Sequence, residues 1–178
     1  VKNGDDAGGG AILIQVNPTD KPNTVQVASL HVKNSTFTGN TATGYGGAIS
    51  TRRETGYGNA HIYLNIDGSN FDSNRVTSAG NGGWRGGGAV WVSGYAWADF
   101  TANTFTGNYS AHFGGAIASN NDNVYQGRVI TLGVLREDGT PDPDKANTFT
   151  NNSANSWGGA ISTGASGSGD NTNGIYTT

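Results

Sequence analysis

Apolar and polar residues alternate in short runs ahead of the phenylalanines of this chain. Val25, Val27, Leu30 and Val32 precede Phe37; Ile62, Leu64 and Ile66 precede Phe71; Ala98 and Phe100 precede Phe105. Alternation with period two predicts strands that turn one face inward. Leu30, Leu64 and Ala98 each stand seven residues before their Phe, and Val32, Ile66 and Phe100 five before, so one inward pattern recurs along the chain. No segment sustains an i, i+3, i+4, i+7 apolar stripe, and Gly interrupts every candidate, so almost no helix is expected.

The alternation is embedded in a repeat. Phe37 to Asn40, Phe105 to Asn108 and Phe149 to Asn152 each spell F-x-x-N, followed by Gly46 to Ile49, Gly114 to Ile117 and Gly158 to Ile161, with 11 residues from Phe to Ala in each case. A fourth copy, Phe71 to Asn74 with Gly87 to Val90, carries a seven-residue insertion, and Gly9 to Ile12 opens the chain without a Phe partner. Self-similarity of this length marks stacked coils that cannot bury their apolar faces singly. The predicted fold is all-β, a right-handed parallel β-helix of about four to five coils with loop insertions, forming a single domain over residues 1–178. With equivalent strands about 4.8 Å apart, Phe37, Phe71, Phe105 and Phe149 are expected to stack inside. Asn40, Asn74, Asn108 and Asn152 are expected to form an amide ladder that satisfies buried turn backbone. Paired glycines supply a sharp corner at each Gly-Gly-Ala, with Gly47, Gly88, Gly115 and Gly159 counted among the structural ladder residues, and substitution at Gly47 or Gly115 is expected to be costly.

Composition narrows the function classes. The 30 glycines against only 4 prolines, in 178 residues, are positional rather than linker-like. A net charge of −3 and scattered Lys and Arg give no footprint for nucleic acid. No apolar run approaches the roughly 20 residues that cross a bilayer, so direct membrane insertion is not expected. Cys and Met are both absent, which excludes disulfides and thiol chemistry. Because position 1 is Val, the chain is expected to be a portion of a longer product, and a missing signal peptide says nothing against secretion.

The alternation of F-x-x-N with G-G-A-[ILV], from Gly9 to Ile161, resembles the repeat of the chlamydial polymorphic membrane proteins and related bacterial surface proteins. The resemblance implies a right-handed β-helix passenger at the cell surface, exported by the autotransporter route and acting as an adhesin. This chain departs from that pattern in having no translocator barrel and no Phe ahead of its first Gly-Gly-Ala.

Candidate sites lie where the repeat is broken. Tyr45, Phe113 and Trp157 share one phase, three residues before the Ala, and Trp84, Trp91, Tyr95 and Trp97 fall within 14 residues. Together they are the candidate binding surface for a host protein or glycan; for the Tyr45, Phe113 and Trp157 phase the favoured reading is cover for the corner glycines, with an exposed stripe for sugars or a partner protein as the alternative. Asp67, Asp72 and Asp99 do not share a repeat position, so the facing carboxylates of a glycosidase are not expected; an enzyme or carbohydrate-binding β-helix remains the rival reading. Glu137, Asp138, Asp142 and Asp144 offer oxygen ligands for Ca²⁺ but not at EF-hand spacing, and no cofactor is expected. His31, His61 and His112 occupy different phases, against a shared metal site. Neither end reads as capped, so the expected partners are further coils of the same chain or end-to-end stacked subunits of a surface filament. The expected role is a noncatalytic, extracellular adhesin or structural stalk.

Overall fold

The computed structural model describes residues 8–16, 25–53, 59–78, 85–93, 96–121, 130–165 and 175–177. They form four parallel sheets that the chain visits in rotation, one strand per visit. The first sheet stacks Ile12–Val16, Ile49–Arg53, Val90–Ser93, Ile117–Asn121 and Ile161–Ala165. The second stacks Val25–Lys33, Asn59–Asp67, Ala96–Thr101, Ile130–Leu132 and Ile175–Thr177. Short strands of three and two residues, opening at Thr36 and Thr41 in the first full coil, build the four-stranded third and fourth sheets. Each strand therefore pairs with its equivalents one coil away, which is the parallel β-helix.

The apolar alternation fills the interior of this coil. Ile62, Leu64, Ile66, Phe71, Phe100 and Phe105 are almost wholly buried in one continuous core with Ile49, Val90 and Ile117. Val25 and Val27 depart from the expected inward pattern, each being 57% exposed. The pairing of Val25–Lys33 with Asn59–Asp67 runs unbroken over nine residues, so side-chain parity cannot change along the strand. Since Val32 faces the core, Leu30, Ala28 and Gln26 share its side, and Val25 and Val27 fall with Ser29 and His31 on the outside.

The corners divide the work of the glycine pair. The first glycine takes a left-handed backbone, with φ of 52° at Gly46 and 57° at Gly114, a region that only Gly enters without penalty. The second has no such φ, but a Cβ on Gly47 would collide with the carbonyl oxygen of Gly88, and one on Gly88 with that of Gly115. Close approach of successive backbones, rather than turn geometry, excludes a side chain there. F-x-x-N contains a corner of its own: its third residue is left-handed in all four copies, Gly39, Ser73, Gly107 and Asn151.

Candidate functional site

Inside the coil the motif residues are committed to one another. Each Asn of F-x-x-N donates its backbone N–H and its Nδ2–H to the Oδ1 of the Asn one coil on: Asn40 to Asn74, Asn74 to Asn108, Asn108 to Asn152, at 2.9–3.0 Å. The second Nδ2–H turns back to the carbonyl of the preceding coil's Phe, Asn74 to Phe37, Asn108 to Phe71 and Asn152 to Phe105. The phenylalanines stack beside this ladder with centroids 4.8–4.9 Å apart and planes within 9°. That separation is the strand spacing, so the rings follow the backbone into an offset parallel stack.

A second polar ladder, absent from the sequence reading, lies two residues before each Phe. Ser35 N–H donates to Ser69 Oγ, Ser69 N–H to Asn103 Oδ1, and Asn103 N–H and Nδ2–H to Asn147 Oδ1. Asn103 and Asn147 also turn back to the carbonyls of Ile66 and Phe100. The signal was present as Ser or Asn at this phase in all four copies, [NS]-x-F-x-x-N. It was masked by the ordinary abundance of Ser and Asn in this chain.

The aromatics of the Tyr45, Phe113, Trp157 phase do align, since Tyr45, Gly86 and Phe113 bridge one another in parallel register. In the coil with the insertion that phase is Gly86, and Trp91 from the neighbouring strand enters the space, 4.9 Å from Tyr45. Trp91 and Phe113 are buried at 7% and 6%, in a small cluster with Ala118 and Tyr45 outside the main core. The rings at the middle of this phase are therefore buried and form no exposed stripe there. Bulky rings side by side outside the first sheet exclude water from one another. Trp157 stacks on Phe113 at 5.0 Å and is 63% exposed. His112 lies against Phe113, and burial first, then the nearby Arg85 charge, hold its pKa below the ordinary imidazole value.

A different group of rings does face solvent. On the outer side of the second sheet Trp97 stands in register with Tyr63, stacked at 5.2 Å and 14°, and His61 leans on the same indole at 4.9 Å. Tyr63 is 45% exposed. Of the remaining candidate aromatics, Trp84 and Tyr95 lie outside the described residues.

The carboxylates do not converge. Asp67 stands beside Lys33 at 3.6 Å, Asp72 is in the third sheet, and Asp99 sits opposite Asn65 and Thr131. In the acidic loop, Asp138 accepts from the hydroxyl and N–H of Thr140, which lowers its pKa, while Asp142 caps the short 3₁₀ turn Pro143–Lys145 and faces Arg136 at 3.6 Å. Among the described residues no three His, Asp or Glu side chains gather in a way that would hold a metal ion. Nor is any described helix long and apolar enough to cross a membrane.

Coiled parallel sheets with internal amide and aromatic ladders define a β-helical repeat protein. Residues 34–52, 104–120 and 148–164 match the family model of the Chlamydia polymorphic membrane protein repeat, so the chain carries three segments similar to that repeat. The family carrying this repeat is one of surface membrane proteins rather than enzymes. The copy from Phe71 to Val90, which carries the insertion, lies outside the matched residues, yet its Phe71 and Val90 hold full register with the others. No curated protein and no solved structure matches the chain.

Proposed function

We propose that the chain is a noncatalytic section of a surface adhesin, in which the β-helix is the stalk and its variable outer faces and insertions meet the partner. One observation carries this reading: the motif side chains are spent on coil-to-coil hydrogen bonds and stacking, so the repeat supplies scaffold, and only residues outside it differ from coil to coil at the surface. A regular support with varied outer side chains is how a scaffold presents recognition groups. The test has two parts. Antibody raised against the chain should label intact cells of the source organism without permeabilisation. Beads coated with the protein should attach to epithelial cells, whereas attachment equal to that of beads bearing an unrelated β-helix would overturn the adhesin role.

A second reading, end-to-end stacking, is favoured by the polarity of the ladders. Every Asn-to-Asn bond of the ladder runs one way, from the donors of one Asn to the Oδ1 of the Asn one coil toward the C-terminus. Further coils or a second copy would therefore add head to tail, a heterologous contact that propagates. Negative-stain microscopy of native material distinguishes filaments of uniform axial repeat from discrete monomers, and the latter would exclude the filament.

A further inference from the structure

The outer face of the second sheet carries an aromatic column with one rung unfilled. Ser29, Tyr63 and Trp97 are register partners on three successive strands. Trp97 covers one face of the Tyr63 ring. On the other side the corresponding position is Ser29, too small to cover a ring, and Tyr63 is 45% exposed. Flanking the empty rung are the exposed side chain of Val27 and, on the other side, exposed His31 with exposed Asn65 in register on the next strand; Asp99, third in that column, lies one strand further off beside Trp97.

We propose that this rung is a binding site for an uncharged pyranose unit of a glycan, which takes the place of the missing ring above Ser29. The proposal rests on the adhesin reading and names its ligand class. A pyranose presents a face of C–H hydrogens, weakly positive, that suits the negative face of a phenol ring. Its rim of hydroxyls needs both donors and acceptors, and His31 and Asn65 offer an imidazole and an amide beside the rung. Val27 supplies apolar contact where the sugar has no hydroxyl to satisfy. A protein partner docking its own apolar residue on Tyr63 would cover the same polar column without pairing it, which costs free energy for each group left unbonded. An acidic glycan would have to draw Lys33, two positions beyond His31, away from Asp67, which it meets at 3.6 Å.

The test uses the full chain and two substitutions that act oppositely on the ring column. Tyr63→Ala removes the stacking surface, whereas Ser29→Trp fills the rung and leaves Tyr63 in place. An array of neutral, sialylated and sulfated oligosaccharides identifies the best neutral binder, and titration of that oligosaccharide, followed by tryptophan fluorescence and by NMR shifts, gives the affinity. Both variants are expected to weaken binding by about tenfold or more, and unchanged circular dichroism shows that the fold persists. No neutral binder on the array, a preference for sulfated or sialylated chains, or equal affinity in Ser29→Trp would each overturn the site. Beads bearing Ser29→Trp separate the two levels: full attachment to cells by this variant leaves the adhesin standing and removes the saccharide site, while no attachment by the wild-type chain removes the adhesin itself.

Discussion

Oδ1 of Asn108 accepts two hydrogen bonds from a single residue, the backbone N–H of Asn74 at 3.0 Å and its Nδ2–H at 2.9 Å. Asn108 is fully buried, and its own Nδ2 serves the Phe71 carbonyl and Asn152 in turn. One amide thus satisfies groups in both neighbouring coils.

Asn108→Ala is therefore expected to be far more damaging than its size suggests. It strands the Asn74 N–H and the Phe71 carbonyl in the interior, at about 1–3 kcal/mol for each buried group. The same change at Asn40, which is only partly buried and passes its donors to a single neighbour, should cost distinctly less. Urea unfolding of both variants checks the order, and equal losses would contradict it.

The glycine pair makes a sharper comparison. A Cβ at Gly115 would strike the Gly159 carbonyl oxygen and the Ser153 N–H, so Gly115→Ala must push two coils apart. At Gly159 the nearest described atom to such a Cβ is Asn152 O at 3.6 Å, ordinary contact. Gly115→Ala is expected to cost several kcal/mol or abolish folding, and Gly159→Ala to stay within about 0.5 kcal/mol. Melting temperatures of the two purified variants give the answer.

Ser73 occupies a left-handed corner at φ 56°, where the equivalent residues Gly39 and Gly107 are glycine. Ser73→Gly removes a conformational penalty of about 1 kcal/mol and gains some unfolded-state entropy against it. A net stabilisation of a few tenths of a kcal/mol is expected, measured as a higher denaturation midpoint with unchanged slope. A lower midpoint would refute it.

Acid should weaken the cluster around Phe113. The folded-state pKa of His112 lies below its ordinary value, through burial and then Arg85, so in the unfolded chain His112 binds its proton first. Stability is full above the unfolded pKa of about 6.5 and falls as pH drops through that value toward the folded pKa, with the loss complete below it. His112→Gln should flatten the part of the stability curve that falls as pH drops below about 6.5, as followed by thermal unfolding. An unchanged slope in the variant would exclude His112 as the source.

Several of these contrasts were legible in the sequence, and several were not. The spacing of Phe37, Phe71, Phe105 and Phe149 marked which residues are equivalent, because stacking coils demand the same residue at the same phase. Val25 and Val27 were misread as core because composition alone does not give parity; the continuous register with Asn59 and His61 sets it. Ser35, Ser69, Asn103 and Asn147 went unseen as a ladder because their hydrogen bonds join residues 34 and 44 positions apart.

By itself, the sequence determined the repeat, its period and the strand-and-corner alternation, since these depend on local pattern and on spacing between copies. Only the tertiary structure decided which face of each strand meets solvent. It also placed Trp91 beside Tyr45 in the space left by Gly86, and left Tyr63 one ring short of a neighbour at Ser29. Those relations cross from coil to coil, and a side chain's burial depends on what the next coil sets against it.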